Sequence, residues 1–251
     1  MRILKVISLL LDYPDQHLRD GHAELAQAIG AAREISPAQR IALRRLLDEL
    51  TEDDLMDVQE RYTDLFDRGR SLSLLLFEHV HGESRDRGQA MVDLMAQYTE
   101  AGFDIGVREL PDYIPLYLEY LATRDDLEAR EGLADVSHLL ALLAARLQER
   151  ESPHAACFRA LLQIAGEPVQ ETLASLQEQV AAEERDDSLE ALDKIWEEEQ
   201  VNFLQAEQQD RCPSMPSGPG KAREESPVPL HWTDFKHDGQ AAALAQEVRN
   251  V

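Results

Sequence analysis

The chain has 251 residues, and 43% of them are hydrophobic, which is enough to bury the core of one large domain or two small ones. Its 49 acidic residues outnumber its 25 basic residues, so the formal net charge is −24. Such a charge repels nucleic acid phosphates and anionic lipid headgroups. Composition therefore excludes nucleic acid as an expected partner and favours basic or apolar ones.

The N-terminal segment, residues 1–16, is apolar and begins with a basic residue, as signal peptides do. Lys5 interrupts the apolar run, Pro14 ends it, and no small-residue cleavage site follows. No other window reaches the roughly 18 apolar residues that cross a bilayer. We therefore expect a first core helix in a cytoplasmic protein without stable membrane insertion, and Cys157 and Cys212 as unpaired thiols.

Helical patterns follow one another along the chain, and no useful length alternates with the period of two that marks a strand. Ser36 to Gln39 has the form of a capping box with proline at the first helical position. Apolar stripes at helical spacing then predict helices that begin near Thr51, Ser84 and Val136, the last deeply buried. The fold is therefore predicted to be all-α, a single compact multi-helix bundle.

The composition changes near residue 183, where a charged run, 183–187, precedes a helix-like stretch that reaches about residue 209. Five prolines and two glycines then fall within residues 212–229, which is linker composition. We predict one all-helical domain over residues 1–209 and a flexible, acidic, proline-rich tail over residues 210–251.

Two Glu-x-x-His spacings, Glu78 to His81 and Glu151 to His154, are the sharpest enzymatic signal. Two such motifs in a helical bundle can build a di-metal carboxylate site. Pro153, however, signals a helix start that leaves Glu151 outside the helix carrying His154. No phosphate-binding loop, dinucleotide fingerprint or nucleophile elbow is present in the sequence. We expect no metal, no cofactor and no catalytic residue, with a metal-dependent helical-bundle enzyme as an open alternative.

Three tyrosines, Tyr113, Tyr117 and Tyr120, follow Leu110-Pro111-Asp112 at spacings that place them on one helical face. Tyrosine combines apolar area with a hydroxyl group, as recognition surfaces require. Half-buried core positions are the alternative interpretation of the same pattern.

The stretch 62–121 resembles the redox-enzyme maturation chaperones, and within them the delta-subunit assembly chaperones of respiratory nitrate reductase. The resemblance reaches over roughly residues 1–205. It is carried by Tyr62, Leu65 and Phe66, by the run 73–83, by Leu110, Pro111 and Asp112, and by residues 116–121. Relatives often carry histidine where this chain has Tyr113, so any role of that imidazole does not carry over.

This resemblance implies a cytoplasmic, system-specific chaperone for the catalytic (alpha) subunit of nitrate reductase. It would bind the apo subunit by its N-terminal segment and hold it competent for molybdenum cofactor insertion, before membrane docking. The proteins that deliver the molybdenum cofactor remain an open further partner, and the oligomeric state is also open. A general acidic adaptor protein is the second alternative to this function.

The resemblance and the apolar stripes together imply a groove in which a basic, apolar client segment folds as an amphipathic helix. Asp112 and Tyr117 are expected to be partly exposed there, so that replacing them reduces binding more than stability. The candidate carboxylates are Glu78, Glu109, Asp112 and Glu119. The expected client-binding residues are Tyr62, Leu65, Phe66, Ser73, Phe77, Glu78, Glu109, Leu110, Pro111, Asp112, Tyr113, Tyr117 and Glu119.

Overall fold

The structure is a computed structural model that describes residues 1–82, 84–106, 109–188, 190, 191 and 193. These residues form α-helices and no β-strand, which confirms the predicted all-α class. The expected tail, residues 210–251, lies outside the described residues. The helices are α1 (Arg2–Leu11), α2 (Gln16–Asp20), α3 (His22–Ala31), α4 (Pro37–Glu52), α5 (Leu55–Phe66), α6 (Leu76–His81), α7 (Arg85–Glu100), α8 (Ile114–Thr123), α9 (Asp126–Asp135), α10 (Ser137–Glu149), α11 (Ala155–Ala165) and α12 (Val169–Ala181).

Several helices begin where the local sequence predicts a start. The Ser36 hydroxyl accepts a hydrogen bond from the backbone N–H of Gln39 at 3.3 Å, with Pro37 as the first residue of α4. The carboxylate of Asp54 caps α5 in a similar way. Such a cap typically contributes ~1 kcal/mol to helix stability. Helices α7 and α10 begin close to their predicted starts, whereas α5 begins at Leu55, because Thr51 still belongs to α4.

Helix α1 is a central element of the core, as the N-terminal sequence predicts. It packs against α8, α3 and α11, and Leu4, Ile7 and Leu10 on it are fully buried. Ser8 is buried on the same helix, and its hydroxyl donates to the Pro115 carbonyl of α8 at 2.8 Å. Burying each such leucine or isoleucine stabilises the fold by about 2 kcal/mol, so α1 anchors the helices around it.

Two loops meet beside α1 in one isolated antiparallel bridge between Leu75 and Tyr113. The backbone N–H of Leu76 donates to the Asp112 carbonyl at 2.9 Å, and that of Ile114 donates to the Leu74 carbonyl at 2.8 Å. Since α6 and α8 begin at this bridge, it fixes the N-termini of both helices. It also places the two sequence stretches that carry the resemblance side by side.

None of the helices in the described part of the chain combines the length and apolar character needed to span a bilayer.

Candidate functional site

An open cavity of about 380 Å³, here called the tyrosine groove, lies between the end of α1, one face of α5 and the loops before α6 and α8. Its walls come from four separate parts of the sequence. The residues that line it are Asp12, Tyr13, Tyr62, Phe66, Asp67, Ser73, Leu74, Leu75, Glu109, Leu110 and Tyr113.

Aromatic rings form one continuous surface in the tyrosine groove. The Tyr62 ring packs against Phe66 at a centroid distance of 4.9 Å and edge-on against Tyr13 at 5.5 Å. Tyr62 and Phe66 are buried because their spacing of four places both on the inner face of α5, whereas Tyr13 is 49% exposed. The inner rings are therefore held in place, and Tyr13 offers the accessible aromatic surface.

A hydroxyl network joins the two sides of the groove. The Tyr62 hydroxyl donates to the Leu11 carbonyl at 2.9 Å, and the Tyr113 hydroxyl donates to Oδ1 of Asp12 at 3.0 Å. The two phenol oxygens lie 3.3 Å apart. Burial, together with the neighbouring Asp12 charge, raises the pKa of both tyrosines. Both phenols therefore remain protonated hydrogen-bond donors at neutral pH.

The acidic rim of the groove differs from the predicted set of carboxylates. Of the four predicted acids only Glu109 lines the groove, where it is exposed. Asp12 and Asp67 supply the other carboxylates, and partial burial raises the pKa of Asp67. An acidic rim of this kind is complementary to basic groups.

The expected partial exposure of Asp112 and Tyr117 is wrong, because their side chains are 0% and 9% exposed. Oδ2 of Asp112 accepts the backbone N–H of Phe77 at 3.1 Å and lies 3.8 Å from the Arg87 guanidinium. The Tyr117 hydroxyl donates to the Gly132 carbonyl of α9 at 2.9 Å. Both side chains support the loops and helices behind the groove instead of facing it.

The remaining predicted residues divide between the groove and its surroundings. Leu65, Phe77 and Glu119 are half-buried outside the groove, and Glu78 accepts a hydrogen bond from Ser73. Pro111 is buried, and its carbonyl accepts from Tyr98 at 2.8 Å. The structure therefore brings together six of the thirteen predicted residues, namely Tyr62, Phe66, Ser73, Glu109, Leu110 and Tyr113.

Asp12 and Tyr13 are groove residues that the sequence interpretation missed. It treated the segment from Asp12 to Pro14 only as the end of the first helix. A signal was nevertheless present, because a tyrosine directly after a buried helix is well placed to contact other elements. Tyr13 and Asp12 also border a second cavity of about 480 Å³ between α1, α2 and α3, so the open surface continues beyond the groove.

The interrupted second Glu-x-x-His spacing is confirmed. Glu151 has a φ of 54° and lies outside α11, whose N-cap is His154. The His154 ring is buried edge-on against Phe66 at 5.2 Å, and burial lowers its pKa to about 4. Within the described residues, no group of three or more His, Cys, Asp or Glu side chains is arranged to hold a metal ion.

Comparison with known proteins identifies relatives over most of the chain. The NarJ nitrate reductase molybdenum cofactor assembly chaperone of Escherichia coli K12 is 52% identical over 201 residues, which cover 80% of this chain and 84% of that chaperone. The probable assembly chaperone NarW of the same strain is 46% identical over 95% of this chain and 99% of its own. A probable NarJ of Bacillus subtilis 168 is 31% identical over 62% of this chain and 84% of its own.

The model of the family described as nitrate reductase delta subunit matches residues 15–160. This range contains most of the tyrosine groove and the bridge between its two loops. The family match and the identities confirm the resemblance inferred from the sequence. The chain belongs to the nitrate reductase delta subunit family.

Proposed function

We propose that this chain is a nitrate reductase assembly chaperone that binds the N-terminal segment of the apo catalytic subunit in the tyrosine groove. It acts in the cytoplasm and keeps that subunit competent for molybdenum cofactor insertion before membrane docking. The names of the NarJ and NarW relatives support the assembly role. The observation that carries the site is that one acid-rimmed groove joins the two loops on which the resemblance rests.

The shape of the groove suits an amphipathic helix. A cavity of about 380 Å³ accepts a small number of large apolar side chains from one face of a client helix. Tyr13 and Leu110, which are 49% and 42% exposed, flank the aromatic surface and can cover the inserted side chains. The client gains affinity from this apolar burial, while the carboxylates orient its basic groups.

The energetics permit reversible binding. Burial of about 500 Å² of apolar surface contributes on the order of 12 kcal/mol gross at about 25 cal/mol per Å². Ordering the client segment and the loss of free rotation offset much of this gain. The expected dissociation constant is therefore no tighter than micromolar, which corresponds to a binding free energy of about −8 kcal/mol. A chaperone must release its client, and this range allows release once the subunit is complete.

Holding the N-terminal segment also explains how insertion precedes membrane docking. A segment bound in the groove cannot at the same time contact a membrane anchor, so docking is delayed until release. The chain itself needs no reactive group for this task. The only cysteine among the described residues, Cys157, is buried, and burial raises its pKa, which keeps the thiol unreactive.

Isothermal titration calorimetry tests the proposal with a peptide of about 15 residues from the N-terminus of the catalytic subunit. We expect saturable binding and a negative heat-capacity change, because apolar surface is buried. Replacing Leu110 with alanine should weaken binding, whereas the same change at Leu127, 66% exposed on α9, is the matched control. No heat at tens of micromolar peptide would contradict the proposal, as would equal binding by a scrambled peptide.

A further inference from the structure

The run of charged residues 183–187, which follows α12, folds back onto α10 and onto the loop before α6. We call it the acidic strap. The Glu183 carboxylate accepts hydrogen bonds from Nε and Nη2 of Arg146, at 2.7 and 3.0 Å. The Asp187 carboxylate lies 2.9 Å from Arg150. In the sequence, this charged run marks only a change in composition. In the folded protein, it has specific partners, Arg146 and Arg150.

Ser71 is the point at which the strap holds the loop. Its backbone N–H and its hydroxyl donate to the Asp186 carboxylate at 2.7 and 2.6 Å. Its hydroxyl accepts from Arg150 at 2.9 Å, and its carbonyl accepts from Arg146 at 2.8 Å. Every polar group of Ser71 is therefore bonded either to the strap or to the two arginines that the strap neutralises.

The carboxylates of Asp186 and Asp187 are held in their charged form. Burial opposes ionisation of Asp186, but the hydrogen bonds from Ser71 and the charge of Arg150 outweigh it and lower its pKa. The hydrogen bond from Arg185 lowers the pKa of Asp187, and the charge of Arg150 adds to this effect. Arg150 is only 12% exposed, so its ion pairs are better shielded from solvent than surface pairs.

Close packing at Gly69 shows how tightly the strap fits. A Cβ atom at Gly69 would lie 2.6 Å from Oδ1 and 2.8 Å from the carboxyl carbon of Asp186. The backbone of Gly69 is not in the left-handed region, so alanine is conformationally acceptable there. The absence of a side chain at this position is therefore needed for the Asp186 carboxylate to reach Ser71.

The loop that the strap holds continues directly into the wall of the tyrosine groove. Ser73 and the two residues after it line the groove, two to four positions beyond Ser71. The Ser73 N–H donates to the Arg70 carbonyl at 3.2 Å, and the Ser73 carbonyl contacts the His79 ring at 2.8 Å. A short, hydrogen-bonded turn therefore connects Ser71 to the groove wall.

We propose that the acidic strap is a positioning element for the client: Asp186 fixes Ser71 and thereby sets the groove wall that the client contacts. This inference rests on the proposed function for the identity of the client. Its structural part, that the strap orders residues 69–76, stands without a client. Asp186 does not line the tyrosine groove, so its effect on binding is indirect.

The test compares the full-length chain with Asp186→Ala, Gly69→Ala and the double variant. Glu171→Ala on α12 is the control, because it removes one exposed acid remote in sequence from the strap. Glu183→Gln is a milder second way to loosen the strap. The readouts are amide hydrogen exchange over residues 69–76, the dissociation constant for the client N-terminal peptide, and the melting temperature.

All measurements are made below the melting temperature of the variant. In Asp186→Ala and in Gly69→Ala we expect faster amide exchange over residues 69–76 and peptide binding that is about threefold to thirtyfold weaker. Gly69→Ala should add nothing in the Asp186→Ala background, because the carboxylate it displaces is already absent. Unchanged exchange, unchanged peptide affinity or a full additional effect of Gly69→Ala in that background would overturn the proposal. If the wild-type chain binds no peptide, the proposed function fails, and the exchange data alone decide whether the strap orders the loop.

Discussion

The hydroxyl of Tyr113 donates a 3.0 Å hydrogen bond to the carboxylate of Asp12, joining residues that are 101 positions apart. Asp12 is the C-cap of α1 and Tyr113 the N-cap of α8, two helices that pack closely in the core. The contact therefore joins the end of α1 to the start of α8 at the wall of the tyrosine groove, and it fixes the relative position of the two ends.

Replacing Tyr113 with phenylalanine and Asp12 with alanine, singly and together, should show that the two residues are energetically coupled. Each single change should lower the free energy of unfolding by about 1 kcal/mol, since one net hydrogen bond is lost. The double variant should lose less than the sum, because both changes remove the same bond. Urea unfolding of the four proteins measures this coupling, and strictly additive losses would show that the contact contributes nothing.

Asp112→Asn and Tyr117→Ala should reduce stability substantially, in contrast to the expectation from sequence that they would reduce binding more than stability. Asp112 faces Arg87 with no exposed surface, so loss of its charge should cost about 1–3 kcal/mol. Removing the buried Tyr117 ring should cost about 3–5 kcal/mol. Tyr117→Phe is the control, because it loses only the bond to Gly132. Stability is measured by thermal and urea unfolding. If the Asp112→Asn and Tyr117→Ala variants were as stable as the wild-type chain, the structural role of these side chains would be contradicted.

His154 should make stability depend on pH. Its pKa falls from 6.5 to about 4 on folding. At a pH below 6.5 the imidazole is therefore protonated in the unfolded chain but stays neutral in the folded chain, and this favours unfolding. This term should therefore remove about 2 kcal/mol of stability between about pH 7 and about pH 5. His154→Gln should abolish this pH dependence, whatever the substitution costs in stability at neutral pH. His17→Gln, at an exposed position on α2, is the control. A wild-type slope that persists in His154→Gln would exclude His154 as its source.

Ending the chain after Gln209 should leave helical content, melting temperature and nitrate reductase maturation nearly intact. Residues 212–229 have linker composition, and the acidic strap is retained in the shortened chain. Circular dichroism and complementation of a strain lacking the chaperone provide the measurements. Failure of the shortened chain to support maturation while it remains folded would assign a working role to the tail.

The helices could be predicted from the sequence because their causes are local. Ser36 and Pro37 mark the start of α4, and the apolar stripe from Val136 identifies α10. The groove was only partly predictable, because its geometry depends on contacts between distant residues. The bridge between Leu75 and Tyr113 leaves no periodic signal in either segment.

The errors have the same physical origin. Sequence shows that Asp112 is charged, but not that a backbone N–H 35 positions earlier donates to Oδ2 of its buried carboxylate. It shows that Tyr117 lies on a helical face, but not that Gly132 of α9 accepts its hydroxyl. The charged run 183–187 marked only a change in composition, since nothing local to it reveals Ser71 or Arg150 as partners.

Site-specific photocrosslinking tests the assignment of the client to the tyrosine groove most directly. A benzoylphenylalanine in place of exposed Leu110 probes the groove, and the same residue in place of exposed Leu127 on α9 probes a comparable apolar position outside it. Both chains are irradiated with the apo catalytic subunit, and the crosslinked peptides are identified by mass spectrometry. We predict crosslinks from position 110 to the N-terminal segment of the catalytic subunit and none to that segment from position 127. Crosslinks to that segment from position 127 but not from position 110 would contradict the tyrosine groove as the binding site.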